Sequence, residues 1–363
     1  MGSGGLRCQG PAAGGSEDVV TGPRDRGGPP KAPTMRDVAE AAGVSKALVS
    51  MVIRGAAGVS EDSRRRVLAA AEGIGYRANR TASLLARRRT NLLGVTMQVR
   101  NAFHAQLVEE IQAAADAAGY QIVLSAVSRT HDEQRALDTL LEFRCEALLL
   151  IGAELAEPDL ALISAQAPVV VIGRRTDLTG LDVVRAAEDT AMGLAVDHLV
   201  GLGHRRILHV TGGTGAVAAD RRRGYETAMT WHGLAGEIRL VEGGHTEIDG
   251  AAAGELIARH HGRAQAPTAV AAFNDASAIG VMDSLRAAGL AVPQDISVVG
   301  VDDAPLAALS GIRLTSVGQS PAEQASWAVR AAVERLDDGR TERREAVLEP
   351  RLVVRSSTAP VPA

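Results

Sequence analysis

Charged side chains are distributed unevenly along the 363 residues of the chain, and the basic ones concentrate near the N-terminal end. This distribution indicates that one end of the protein binds a polyanion. Residues 31–90 carry 12 Lys or Arg against 5 Asp or Glu, a net charge of +7. Residues 1–30 carry 3 of each sign, and the total is −4, so removing +7 leaves −11 for the residues from 91 onward. A small basic segment on an acidic body is what polyanion binding by one end requires. Residues 31–90 therefore predict contact with nucleic acid.

Motifs for enzymatic chemistry are missing from the sequence. The loop GLGHRR from Gly201 lacks the third Gly of a dinucleotide-binding turn, and GGTG from Gly212 lacks the Lys of a phosphate-binding loop. Neither a Gly-x-Ser-x-Gly elbow nor a His-Glu-x-x-His helix occurs. The adjacent His260 and His261 have no third ligand at metal-binding spacing, so we interpret them as a solvated helix end. The sequence predicts a binding protein without a metal or cofactor rather than an enzyme.

The segment that would present the basic residues has the pattern of two short helices and a tight turn, TMRDVAEAAGVSKALVSMVI from Thr34. Thr34 and Asp37 form a reciprocal capping pattern at the start of the first helix. Gly43 tolerates the positive φ of a tight turn, and Ser45 can cap the second helix. The predicted inner faces are Val38, Ala39 and Ala42, then Leu48, Val49 and Val52. This is a helix-turn-helix, whose second helix can enter a major groove.

The segments around this motif complete the predicted domain organisation. Ser60 can cap a third helix, whose predicted inward residues are Val67, Leu68, Ala71 and Ile74, so residues 34–78 form a small all-α DNA-binding domain. Residues 79–90 are predicted as a hinge helix and linker. Residues 1–33 are rich in Gly and Pro and lack an apolar export signal, and we interpret them as a disordered tail.

Residues 91–363 show apolar runs that alternate with helical stretches. The runs include LLGVTMQV from Leu92, QIVLSAV from Gln121, TAVAAF from Thr268 and ISVVGVDD from Ile296. Such alternation predicts an α/β body with two doubly wound parallel-sheet subdomains and a ligand cleft beyond the carboxyl ends of the strands.

Hydrophobic residues make up 46% of the chain, yet no apolar run approaches the roughly 20 residues of a membrane span. With Cys8 and Cys145 far apart, a cytoplasmic protein without disulfides is expected.

The sequence also resembles the LacI/GalR family of transcriptional regulators. The matching segments include DVAEAAGVS from Asp37, RRRVLAAAEGIGYRANRTASLLA from Arg64, HLVGLGHRRILHVTG from His198 and VPQDISVVGVDD from Val292. The resemblance implies a periplasmic-binding-protein-like body in which the chain crosses three times between the subdomains. It places one subdomain at about 91–189 with part of 316–342, and the other at about 190–315 with the C-terminus.

The same resemblance implies DNA contacts for several residues. Base contacts are expected from Lys46, Ala47 and Met51. Met51 stands where many relatives have Arg, so either it contacts a thymine methyl group or Lys46 and Arg54 read the outer bases. Contacts to DNA phosphates are expected from Thr34, Ser45, Ser50 and Asn79. Such contacts position the protein on the duplex without reading the base sequence. For Ser45 and Ser50, simple capping or solvent exposure is an equal alternative.

In this family the segment from Asn79 to Ala86 is a hinge helix. It is too short to be stable alone, so it is expected to form with its dimer mate on DNA. Leu85 matches the leucine that wedges into the minor groove and kinks the operator, whereas packing within the linker is the alternative.

Six residues of the body match the effector site of the family: Phe103, His104, Arg174, Arg221, Asn274 and Asp302. Arg221 and Asp302 suit a polyol, because a guanidinium and a carboxylate each engage two hydroxyls; the alternative is a structural ion pair between them. Phe103 would form an apolar wall. His104 replaces an aromatic residue common in relatives, so a more polar or anionic effector is also open.

The combined reading is a sequence-specific transcriptional regulator, a repressor, that binds a pseudo-palindromic operator as a homodimer under control of a sugar or related polar metabolite. A tetramer stays open. The rival reading is a solute-binding protein of a transport system, which would share the cleft. The basic headpiece and the missing export signal disfavour it.

Overall fold

The computed structural model describes residues 33–53, 56–76 and 89–361 of the chain. Two compact units are present, Met1–Arg87 and Arg88–Ala363, here called the headpiece and the body. The predicted tail up to residue 32, Arg54, Asn79, Leu85 and the hinge helix lie outside the described residues.

Three helices form the described headpiece: α1 (Met35–Ala42), α2 (Lys46–Ile53) and α3 (Glu61–Gly73). The capping box of Thr34 and Asp37 is present at the start of α1. Gly43 has a φ of 62°, in the left-handed region that the turn requires. The Ser45 hydroxyl accepts a hydrogen bond from the Leu48 backbone N–H at 3.2 Å, which caps α2.

The headpiece core differs from the predicted one at two leucines. Val38, Val49 and Val67 are fully or almost fully buried, together with Ala39, Val52 and Ala71. Leu68, predicted to face inward, is 50% exposed, and Leu48 is only half-buried and lies outside the core cluster. Successive side chains of an α-helix point about 100° apart around the helix axis. Because Val67 faces the core, Leu68 points away from it.

The first sheet of the body has the strand order β11-β5-β4-β3-β1-β2, and all its pairs are parallel. Helices packed against a parallel sheet bury both of its faces. The strands are β1 (Leu92–Gln98), β2 (Gln121–Val127), β3 (Ala147–Ile151), β4 (Val169–Ile172), β5 (Asp182–Ala186) and β11 (Glu345–Leu348). The helices are α4 (Ala102–Ala117), α5 (Glu133–Glu142), α6 (Glu157–Ser164) and α11 (Pro321–Asp337).

The second sheet has the order β12-β10-β9-β8-β6-β7, in which only the edge strand β12 is antiparallel among the described strands. The strands are β6 (Ile207–Val210), β7 (Arg239–Val241), β8 (Ala269–Ala272), β9 (Ser297–Asp302), β10 (Thr315–Gly318) and β12 (Arg351–Val353). The helices are α7 (Glu188–Gly201), α8 (Ala216–Trp231), α9 (Glu247–His260) and α10 (Asp275–Ala287), and two 3-10 helices span Ala235–Glu237 and Pro305–Ala308.

The chain crosses between the subdomains three times, as the resemblance implied: after β5, after β10 and after β11. The part of 316–342 that lies in the first subdomain is α11, which packs Ala328 and Val329 into the core of that subdomain, while β10 pairs with β9 in the second sheet up to Gly318. One predicted boundary needs correction. The returning segment then extends to β11, which pairs with β5 beyond residue 342. Strand pairing sets these boundaries, and short strands of three or four residues leave little periodicity in the sequence.

Helices α9 and α10 pack so closely that their backbones touch at glycines. A Cβ atom on Gly280 would lie 2.0 Å from the Glu247 carbonyl oxygen, and one on Gly250 would lie 2.0 Å from the Ser277 carbonyl oxygen. Gly193 in α7 offers a contrast, because nothing lies within 4 Å of the position of its Cβ.

We therefore expect Gly280→Ala to destabilise the body by about 2 kcal/mol, the usual cost of overpacking, which corresponds to a lower melting temperature by several degrees. Gly193→Ala is the matched control and should raise stability by up to about 1 kcal/mol, because Ala favours a helix. Thermal unfolding measures both. Equal melting temperatures for the two variants would contradict the close packing.

Candidate functional site

A cavity lies between the two subdomains, at the carboxyl ends of strands from both sheets. All six residues predicted for the effector site line it: Phe103, His104, Arg174, Arg221, Asn274 and Asp302. The topology explains this convergence, because parallel strands present the residues that follow them at one edge of the sheet.

Arg221 occupies the floor of the cavity and is only 3% exposed. Its Nε donates to Glu188 at 2.7 Å, its Nη1 donates to the Phe273 carbonyl oxygen at 2.6 Å, and its Nη2 lies 3.5 Å from Asp302 Oδ1. The guanidinium carbon lies 4.6 Å from the centre of the Phe273 ring. The ion pair with Asp302, which the sequence left as an alternative, is thus present, although Glu188 is the nearer partner.

Asp302 ends β9 with a φ of 124°, a strained value for a residue with a side chain. Its Oδ1 accepts a hydrogen bond from Gln319 Nε2 at 2.6 Å. Burial raises the pKa of the Asp302 carboxyl to about 7, although Arg221 opposes the shift. Asp275 lies behind it and accepts from the Ser316 hydroxyl at 2.5 Å and from the Ala304 N–H at 2.7 Å. Asp275 therefore fixes the loop that follows Asp302.

His104 contributes a neutral imidazole to the other wall. Its Nδ1 accepts from the Gln98 N–H at 3.2 Å, which leaves the proton on Nε2. Burial lowers the pKa of His104 to about 3. A Cβ atom on Gly152 would lie 2.7 Å from the ring, so this glycine, at a φ of 60°, makes room for it.

Arg174 and Asn274 line the cavity with side chains that bond to the protein itself, although the buried Nε of Arg174 has no hydrogen-bond partner among the described residues. Arg174 donates to the carbonyl oxygens of Ala153 and Leu155 and pairs with Glu157 at 2.6 Å. Asn274 caps α10 through Ser277 and donates to the His245 carbonyl oxygen at 3.1 Å.

Seven polar lining residues were missed by the sequence reasoning: Gln98, Asn101, Glu154, Glu188, His245, Gln319 and Gln324. Glu188 follows β5, whose sequence DVVRA contains two charged residues and gave no apolar run. A prediction of β5 as a buried strand would have placed Glu188 at the cleft, because Glu188 lies just beyond the carboxyl end of that strand.

Four of the residues predicted to contact DNA lie on α2. Lys46 and Ala47 are exposed, and Ser50 and Met51 are half-buried. The hydroxyl of Ser45 is engaged in the α2 cap and that of Thr34 in the α1 cap, so for Ser45 the capping alternative describes the observed contact.

Comparison with known proteins matches both units. Residues 34–79 match the model of bacterial regulatory proteins of the lacI family, and residues 196–358 match a periplasmic binding protein-like domain. The transcriptional regulator GalR of Escherichia coli K12 is 33% identical over 333 residues, which cover 90% of this chain and 96% of GalR. The chain belongs to the lacI family.

Solved structures agree with this assignment. A LacI transcriptional regulator from a Rhodococcus species is 40% identical, with a TM-score of 0.71 over 74% of this chain and 99% of the other. A lac repressor dimer bound to operator and the anti-inducer ONPF is 28% identical, with a TM-score of 0.76 over 91% of this chain and all of the other. This lacI-family protein is a DNA-binding transcriptional regulator, and the reading as a transport binding protein is wrong.

Within the described residues, no helix has the length and apolar character that a membrane span requires. Among the same residues, no group of three or more His, Cys, Asp or Glu is placed to hold a metal ion.

The pKa of Asp302 predicts a pH dependence of stability. Its folded pKa of about 7 exceeds the ordinary value of 3.8, so ionisation is harder in the folded state and this group lowers stability as the pH rises from about 4 to 7. Asp302→Asn removes this titration. Its melting temperature should therefore rise relative to that of the unsubstituted protein between pH 5 and pH 8.

Asp116→Asn, on an exposed position of α4, is the control and should give a constant difference over that range. A constant difference for Asp302→Asn as well would show that the carboxyl of Asp302 titrates as in water.

Proposed function

We propose that this regulator binds a pseudo-palindromic operator as a homodimer and represses transcription in the cytoplasm, under control of a small hydroxylated metabolite in the cleft. The observation that carries the proposal is the buried cluster of Arg221, Asp302 and Asn274 between the subdomains of a lacI-family body. The similar structures described above and a CelR–cellobiose complex, 28% identical with a TM-score of 0.65, support it.

On the DNA side, the exposed Lys46 and Ala47 and the half-buried Met51 lie on one face of α2 and would contact bases. Arg54 would assist at the outer bases. Thr34, Ser45, Ser50 and Asn79 would position the helix on phosphates, and Leu85 would wedge into the minor groove.

On the effector side, Phe103 and His104 would form one wall, and Arg174 would hold that wall in place through its carbonyl contacts. Arg221, Asn274 and Asp302 would bind the polar groups of the ligand. Contacts with both subdomains would favour the closed arrangement of the cleft, which is how a ligand shifts a conformational equilibrium.

The first test is operator binding. Footprinting should reveal two symmetrical half-sites, and affinity should fall steeply between low and moderate salt, because phosphate contacts release counterions. Lys46→Ala should weaken specific binding by about 1–3 kcal/mol. Arg65→Ala, an exposed position on α3, is the matched control and should change affinity less than Lys46→Ala. A single unsymmetrical half-site, or affinity that does not depend on salt, would overturn the proposal.

The second test concerns the cleft. A thermal-shift screen of sugars, nucleosides and sugar phosphates should reveal a stabilising compound, because a ligand at about 100 times its Kd adds about 2.7 kcal/mol. Asp302→Ala removes a hydroxyl acceptor and should abolish the shift, while Glu188 keeps Arg221 paired. If the same compound stabilises Asp302→Ala equally at equal concentration, the effector site lies elsewhere.

A further inference from the structure

A second cavity lies at the amino ends of three strands of the second sheet, the end opposite to the cleft. Its lining includes Ile207 at the start of β6, Arg239 at the start of β7, Pro267 just before β8, and Leu256 of α9. Its volume is about 370 Å³, within the range of roughly 300–1,000 Å³ that is usual for small-molecule sites. Among the described residues, this cavity and the cleft have no lining residue in common. The two are therefore separate sites.

The apolar walls of this cavity are aliphatic. They come from six side chains: Ile207, Leu208, Leu240, Val241, Leu256 and Ile257. Ile257 and Leu208 are only 3% and 8% exposed, while Leu256, at 42%, forms the outer edge. This apolar surface is recessed, whereas a protein partner typically covers about 800 Å² of open surface. Its described lining contains no Phe, Tyr or Trp, so it suits an alkyl chain better than a stacked ring.

Three arginines line the same cavity, and their guanidinium groups retain open donors. Arg206 Nε donates to the Ala266 carbonyl oxygen at 2.7 Å, and Arg239 Nη1 donates to two carbonyl oxygens of the preceding turn at 3.0 and 2.8 Å. In the part of the chain that the structure describes, the Arg263 side chain has no hydrogen bond, and none of the three pairs with a carboxylate. A guanidinium has five N–H donors, so most of these donors are available to a ligand.

The charge of this lining is positive. Glu237 is the one carboxylate in its described part, so three guanidinium groups leave +2 with a neutral His260 and +3 with a protonated one. Three carbonyl oxygens in the last turn of α9 already accept hydrogen bonds, from His260 Nδ1 and from the N–H groups of His261 and Arg263. The negative end of this helix is thus partly satisfied by the protein itself. The cavity therefore combines an apolar wall with an unpaired positive charge, in a body that carries −11 from residue 91 onward.

We propose that this second cavity binds a small anionic amphiphile, an aliphatic chain that ends in a carboxylate or a phosphate. The chain would contact the aliphatic walls, and the oxygens of the head group would accept hydrogen bonds from Arg239 and Arg263. Guanidinium groups bind the paired oxygens of both head groups in a bidentate manner. This inference is independent of the effector of the cleft and of operator binding.

The experiment is calorimetry of the full chain at pH 7 with octanoate, octyl phosphate, hexanoate, 1-octanol, octylamine and inorganic phosphate as probes. Octanoate or octyl phosphate should bind at least tenfold tighter than 1-octanol and octylamine, and the tighter of the two identifies the head group. Hexanoate should bind roughly fifteenfold weaker than octanoate, because each buried CH₂ group raises affinity about fourfold.

Three results of this comparison would overturn the proposal. Equal affinity for 1-octanol would show a cavity that ignores charge. Equal affinity for inorganic phosphate would show an anion site that ignores the chain. Binding of neither octanoate nor octyl phosphate would exclude an amphiphile site altogether.

Arg263→Ala tests the head-group contact. Its side chain has no partner in the described structure, so the melting temperature should stay unchanged while the tighter-binding anion weakens about tenfold, the scale of one charge-assisted hydrogen bond. Arg259→Ala removes the same charge from α9 outside the cavity lining and should weaken binding less than twofold. Equal affinities in the two variants would contradict the assignment of the anion to this cavity.

A second copy of this chain is the rival occupant of this face. Leu256→Ser removes the exposed edge of the apolar wall and should weaken octanoate binding, while the oligomeric mass measured by light scattering should not change. A lower mass in Leu256→Ser would assign the face to contacts between copies and would overturn the proposal.

Discussion

The buried guanidinium of Arg221 is the interaction on which the arrangement of the cleft depends. It extends from α8 and joins three other parts of the second subdomain: Glu188 at the start of α7, the Phe273 carbonyl oxygen after β8, and Asp302 at the end of β9. Removing one partner from such a buried network leaves a charge without compensation, which typically costs 3–5 kcal/mol. The same side chain thus holds the strand ends together and sets the charge that a ligand meets.

The two neighbouring aspartates of this network have different roles because their partners differ. Asp275 is enclosed by the Ser316 hydroxyl and the Ala304 N–H, so both of its oxygens are engaged by the protein. Asp302 shares one oxygen between Gln319 and Arg221 and lines the cavity. The strained φ of 124° at Asp302 is maintained by this surrounding network.

Because the chain crosses three times between the subdomains, the walls of the cleft come from distant parts of the sequence. Residues of the first subdomain, such as His104 and Gly152, face residues of the second, such as Arg221 and Asn274. Arg175 also links the subdomains, at 3.0 Å from Asp189 and 3.3 Å from Asp220. A ligand that contacts both walls can bias opening and closing only by its differential affinity for the two arrangements, and couplings of this kind are typically 1–3 kcal/mol.

The sequence by itself determined the features that depend on neighbouring residues. The Thr34–Asp37 capping box, the left-handed Gly43 and the Ser45 cap are interactions within three or four residues, so the headpiece helices could be predicted, and long apolar runs indicated most central strands of the body. Tertiary structure decided the rest. Leu68 is exposed because the packing of three helices selects the buried face, and β5, β11 and β12 are too short or too charged to show periodicity. Glu188 meets Arg221 from 33 positions earlier in the chain, and only the folded sheets bring these charges together, because sequence patterns do not encode the distance between residues so far apart.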